Sequence, residues 1–507
     1  MEYFALYFIL LILRNLSRYV SYVVLNLKNL NLKGKYLLNS FKSVNFEEIE
    51  LIKYNITQVA SQLQVRLPVE FFKSIEVSSI KNKRGTFNIK CYDEINPNKA
   101  FYTKIYSDLK LIDFEVRGYE LFSKYTPKMS PQLVYKDKSS NFIITDVLDG
   151  YESIRKYIID GNMNADVSRQ IGTVMGRNHA RSHYKCINST LYETYHSIFG
   201  VQPSYLARGE ELFGSTLQYL SEVKGEEEDS NDISWIPEPL KKNISQLDRL
   251  IRILQNLHDT YKSKKECLIH GNLLSANVLI NSDLEFNSEE EDLRDSSVKV
   301  VNFEHFSLGP AGVDLGVFLL SHMWYYAVHT NLSHRRRYIY MIHIIMVFLI
   351  YYSFIWMYIY SLLNSVKSVI EAYKSSLYVQ VASIEKAKQL SLDAESLYDS
   401  ILRDAIGYIG ANMLFLCVLS SKHPDRDMFG VGMFPEMNWG DKDGWRKAVL
   451  SRQCKMGIFA LQLYDSRTDP IQNQNQNKQV SVQDIISIFS EDDKNYSAEH
   501  LTEYWHP

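Results

Sequence analysis

Cys267-Leu268-Ile269-His270-Gly271-Asn272-Leu273-Leu274-Ser275-Ala276-Asn277-Val278-Leu279-Ile280 reads as an apolar strand, a loop of polar and small residues, and a returning apolar strand. One acidic insertion later comes Val298-Lys299-Val300-Val301-Asn302-Phe303-Glu304-His305-Phe306-Ser307-Leu308-Gly309-Pro310-Ala311-Gly312-Val313-Asp314-Leu315-Gly316. Apolar runs that bracket polar loops leave the loop side chains at strand ends, where binding and catalytic groups are commonly placed. A lone His-Gly-Asn is an ordinary turn sequence. Two blocks in this order, each with apolar flanks, are less easily explained that way.

Outward from these blocks, the chain changes character. Residues 45–147 hold short β-rich pieces at 71–77, 86–92, 101–106 and 141–147, with one helical stretch at 111–125. Helical spacing covers 168–183 and 244–262, and the second half is mainly helical. The expected class is α+β, a small sheet domain followed by a larger helical one. Among the 507 residues, 46% are hydrophobic and 13% aromatic, enough for two or three packed units. With 56 Lys and Arg against 59 Asp and Glu, the net charge of -3 gives no chain-wide field for nucleic acid. The five cysteines are odd in number and far apart, with no C-x-x-C pair, which reads as a reducing, cytoplasmic setting.

The two blocks resemble the catalytic loop, His-Gly-Asp-x-x-x-x-Asn, and the metal-binding segment of kinases that act on small molecules, the aminoglycoside and choline kinase type. The run Gly309-Pro310-Ala311-Gly312-Val313-Asp314-Leu315-Gly316 is similar to methylthioribose kinase in particular. The resemblance implies a bilobal protein kinase-like fold, with a small β-rich N-lobe and a large mainly helical C-lobe. It also implies ATP and Mg²⁺ as cofactors, and a nucleotide and a small sugar-like molecule as partners. Carried onto this chain, it places the base position at Asn272, with His270 and Gly271 shaping the loop. The metal positions fall at Asn302, Glu304 and Asn277, and Asp314 would anchor the following helix. Lys104 becomes the phosphate-binding lysine and Glu115 its ion-pair partner. Asp146, Val147 and Leu148 would form the adenine-facing hinge, and the turn holding Gly85, beside Lys83 and Arg84, would cover the nucleotide.

The departures from that pattern bear on function. Asparagine stands at both aspartate positions, 272 and 302, and a carboxamide can orient a hydroxyl but cannot take its proton. Leu414 and Phe415 occupy the positions of an arginine pair at the sugar site. These departures point to a catalytically impaired, pseudokinase-like member of the S-methyl-5-thioribose kinase type. The alternatives are an active kinase on methylthioribose or a related hydroxyl in methionine salvage, and a membrane-associated interaction scaffold.

Two apolar stretches bear on the scaffold reading. Residues 3–13 fall short of the roughly 20 needed to span a bilayer, whereas 338–366 is long enough and follows Arg335, Arg336 and Arg337. That stretch reads as a non-spanning insertion, as sequence absent from the true transcript, or as a true span. The resulting organisation is an apolar leader at 1–44, an N-lobe at 45–147 and a C-lobe with catalytic and metal loops at 148–334. An apolar insertion at 335–370, further C-lobe helices at 371–466 and a flexible tail at 467–507 complete it. The oligomeric state is left open, a homodimer included.

Overall fold

The computed structural model describes residues 74–79, 87–92, 100–106, 109–137, 142–146, 148, 150–160, 163–225, 237, 239–240, 244–281, 297–340, 345–388, 393–422, 442–468 and 480–490. The expected leader at 1–44, Gly85 and Val147 lie outside them. The chain divides into two compact units, Met1–Ser107 with Asp137–Ile144, and Asp108–Lys136 with Thr145–Pro507.

In the first unit, strands β1 (Ser74–Ser79), β2 (Phe87–Tyr92) and β3 (Ala100–Ile105) form an antiparallel meander. Lys104 stands opposite Asn88 in the β2–β3 register. Strands β4 (Leu133–Asp137) and β5 (Phe142–Asp146) carry the chain across the division between units, and the sheet order is β1-β2-β3-β5-β4.

The second unit begins with helix α1 (Leu109–Tyr125). After β6 (Glu152–Ser153) come α2 (Ile154–Asp160), α3 (Ala165–Ser182), α4 (Ser189–Phe199) and α5 (Pro203–Gly209). A π-helical turn, Glu210–Gly214, leads into α6 (Ser215–Gly225), and α7 (Leu247–Ser263) follows. The caps explain where the helices start. Asn164 and Asn188 accept backbone N–H groups at the first turns of α3 and α4, and Gln202 does so for α5, with Pro203 next in line. Helix α7 buries Leu247, Leu250, Leu254, Leu257 and Tyr261 along one stripe, the three-and-four spacing that marks it in the sequence.

Four short strands then hold the two quoted blocks. Strand β7 (Cys267–Ile269) pairs with β10 (Ser307–Gly309), while β8 (Val278–Ile280) pairs with β9 (Val298–Val300) and β6. Residues 270–277 therefore cross from one small sheet to the other, and 301–306 cross back beside them. The crossing brings residues distant in sequence into one place.

Helices α8 (Gly312–Tyr340), α9 (Ile345–Lys388), α10 (Ala394–Lys422), α11 (Lys442–Thr468) and α12 (Val482–Ser490) complete the unit. Helix α9 lies so close to α3 that a Cβ at Gly172 would sit 2.2 Å from the Val369 carbonyl oxygen, and one at Gly176 2.6 Å from that of Tyr373. Along this contact Leu362, Val366, Val369, Ile370, Tyr373 and Leu377 are buried. Residues 341–344 of the apolar stretch, and the side chains of 338–340, 345–356 and 358, lie outside the described residues. Among the described residues, one helix is long and apolar enough to cross a membrane, Ala394–Ser421, and 89% of its apolar window is buried inside the protein.

Candidate functional site

Loop 270–277 is held from beneath by one carboxylate. Asp314, in the first turn of α8 and 2% exposed, accepts the His270 N–H at 2.7 Å and the Gly271 N–H at 2.9 Å. His179 of α3 donates from Nε2 to the same carboxylate at 3.3 Å and accepts the Tyr373 hydroxyl at Nδ1, 2.9 Å away. The acceptor-only carboxylate fixes that tautomer. Asn178 and Ser182, also on α3, bond the carbonyl and N–H of Leu268, so the strand leading into the loop is pinned as well.

The loop turns at Gly271, whose φ of +75° favours glycine; a Cβ there would meet the His305 carbonyl oxygen at 2.3 Å. His270 uses both ring nitrogens on the backbone. Nε2 donates to the Val301 carbonyl at 2.9 Å, and Nδ1 accepts the Asn272 N–H at 3.3 Å. Its place is structural: it ties the two crossing segments together. Phe303 fills the space beside it, packed on Tyr119, Phe122 and Phe306, with Gly118 of α1 leaving room for the ring.

Of the expected site residues, Asn272, Asn277 and Asn302 are brought together in a linear hydrogen-bonded series. Asn302, in the left-handed region at φ 66° and ψ 64°, donates from Nδ2 to Asn277 Oδ1 at 2.7 Å. Asn277 donates from Nδ2 to the Asn272 carbonyl at 2.8 Å. The left-handed backbone is one that asparagine tolerates better than most residues. Asn272 Oδ1 is buried and has no hydrogen-bond partner, an arrangement that costs about 1–3 kcal/mol unless a donor meets it.

Glu304 lies in the next turn. Its carbonyl accepts from Gln202 Nε2 at 2.7 Å and Ser204 Oγ at 2.6 Å, and its carboxylate stands 3.5 Å from His305 Nε2. This donor set does not suit Mg²⁺, which prefers charged oxygens in a near-octahedral array. Asn277 Oδ1 is taken by an amide N–H₂, and Asn302 presents hydrogens rather than oxygen on that side. Among the described residues, no cluster of three or more His, Cys, Asp or Glu side chains could hold a metal ion.

The remaining expected positions are distributed as follows. Lys104 belongs to the first unit, where it is buried with its ammonium 5.1 Å from the Tyr106 ring centre. Glu115 belongs to the second, fully buried on α1. Asp146 donates its N–H to the Gln132 carbonyl at 3.0 Å, and burial raises its carboxyl pKa against the opposing pull of Lys299. Leu148 accepts the Tyr151 N–H at 3.2 Å. Leu414 and Phe415 are buried on α10.

His183, just past the end of α3, is held neutral, its pKa pushed down to about 3 by burial first and by Lys185 and Lys264 second. The histidine of that helix that reaches the loop support is His179. Sequence reasoning passed over His179 and Tyr373 because their partner, Asp314, lies far away in the chain. Gln202 and Ser204 were missed for the same reason. The repeated His in the run Asn178-His179-Ala180-Arg181-Ser182-His183 was the available signal.

No family model matches the chain, and no curated protein sequence matches it. Among solved structures, it is similar to an ethanolamine kinase of Plasmodium vivax, at 15% identity and a TM-score of 0.42 over 87% of this chain and 95% of that one. It is similar to a choline/ethanolamine kinase family protein of Mesorhizobium loti, at 9% identity and a TM-score of 0.35 over 82% and 97%. A choline kinase of Streptococcus pneumoniae is similar at 10% identity and a TM-score of 0.32 over 81% and 99%.

Proposed function

We propose that this chain is a nucleotide-binding protein of the small-molecule kinase type in which phosphoryl transfer to a hydroxyl is impaired. The observation that carries the reading is the state of the loop. Its backbone is fully built, clamped by Asp314 and tied by His270, yet the side chain at its working position is the amide Asn272. An amide oxygen at this position can accept a hydrogen bond from a hydroxyl. It has no capacity to remove the proton, and that removal contributes about 10²- to 10⁴-fold to such reactions. Among the described residues, Cys186, Cys267, Cys417 and Cys454 are buried cysteines, which suit a reducing, cytoplasmic setting.

The test restores the acids. Asn272→Asp, Asn302→Asp and the double variant are assayed with ATP and methylthioribose, and with choline, ethanolamine and an aminoglycoside as further acceptors, by direct detection of phosphorylated product. The expected result is turnover in the double variant at least about 10²-fold above the parent. Equal turnover in the parent would overturn the impaired reading and favour an active kinase.

A further inference from the structure

The series of amides through the site has a fixed direction. At one end stands the Asn272 backbone carbonyl, which can only accept, so Asn277 must offer it the N–H₂ group and turn its own oxygen towards Asn302. Asn302 must then answer with its N–H₂, as it does at 2.7 Å. The Asn272 carbonyl also accepts the Leu274 N–H at 2.8 Å, and the Asn277 N–H goes to the Leu274 carbonyl at 2.8 Å, so the series is embedded in the turn that builds the loop. Turning Asn277 to free its oxygen would break two side-chain hydrogen bonds at once. An aspartate at 302 would instead set oxygen against oxygen at this distance, a contact that becomes favourable only when a cation lies against both.

We infer that this site takes its phosphate-bearing ligand without a divalent cation, the Asn302 amide making to Asn277 Oδ1 the contact that a cation would otherwise make. The inference rests on the nucleotide reading above for the ligand, and on the amide series alone for the cation. Glu304 does not restore the cation site. It is one carboxylate where a hard divalent ion that gives up its water reluctantly needs more charge, and His305 Nε2 stands 3.5 Å from its Oε1.

The probe is Mn²⁺, followed by the paramagnetic resonance signal of the free ion, with the full-length chain alone and with ADP, and with an ADP-only blank. In parallel, the melting midpoint is read with ADP in EDTA and with ADP in Mn²⁺. For the parent chain, the expected result is no loss of free Mn²⁺ beyond the ADP blank, and the same ADP-induced rise of the midpoint in EDTA as in Mn²⁺. For Asn302→Asp, the midpoint in EDTA should fall below that of the parent and Mn²⁺ should raise it. Stoichiometric loss of free Mn²⁺ to the parent chain, or an ADP-induced rise that vanishes in EDTA, would overturn the inference. If ADP moves the midpoint under neither condition, the nucleotide reading falls, and the Mn²⁺ titration of the chain alone still decides the cation. The parent chain gives that decision whether or not the variant folds.

Discussion

At the scale of single residues, the loop depends on one backbone position and one acid. Gly271 combines a left-handed φ with a Cβ position 2.3 Å from the His305 carbonyl oxygen, so Gly271→Ala carries both backbone strain and a collision. Strain of this kind costs about 1–3 kcal/mol, and overpacking adds a similar amount. The variant should therefore unfold at clearly lower urea concentration than the parent in equilibrium denaturation, and an unchanged midpoint would remove the loop geometry described above. The glycine and the amide at 272 were legible in the sequence because they sit in a contiguous motif. The Asp314 clamp was only half legible. The resemblance implied that it anchors the following helix, but nothing local shows that its oxygens turn back to accept two N–H groups from residues 43 and 44 positions earlier. Nor could spacing show that three asparagines would bond one another, since side-chain partners are set by the crossing of two segments between two sheets.

At the scale of elements, periodicity placed three of the described helices and several strands to within a few residues. The stretch read as a helix at 111–125 is Leu109–Tyr125, and the strand read at 86–92 is Phe87–Tyr92. The reading was weakest along 338–366, where uniform apolarity has no face and therefore gives no orientation. Helix α9 acquires its orientation from α3. Gly172 and Gly176 let the two backbones approach, and Ser365 bonds both Ser168 of α3 and His322 of α8. Gly172→Ala should cost about 1–3 kcal/mol, because the added methyl meets a backbone carbonyl that cannot move without moving the helix. Thermal melts of the purified variant check this, and hydrogen exchange should show faster opening of α9 beyond Ile359. A neutral substitution would mean that α9 does not pack there.

At the scale of the whole molecule, two buried histidines make stability depend on acidity. Burial lowers the pKa of His183 to about 3, with Lys185 and Lys264 adding to the effect, and lowers that of His322 to about 4. Both are neutral in the folded chain, whereas in the unfolded chain they bind protons below about pH 6.5. Their contribution is thus complete above that pH and is lost as pH falls, down to about 3 for the first and 4 for the second. The slope is up to about 1.4 kcal/mol per pH unit for each. His183→Asn, whose Oδ1 can accept the Lys185 N–H in place of Nδ1, should flatten urea-derived stability against pH between 6 and 4, relative to the parent, whatever its effect at neutral pH. The order of strand-like and helical stretches pointed to the class of this molecule, but such buried titrating groups come from packing alone. The amide series also bears on how this site can change. Asparagine and aspartate codons differ by one base, yet a lone aspartate at 302 would set two oxygens against each other. A single-base change there is therefore uphill at its first step, and a second, compensating change has to arrive with it.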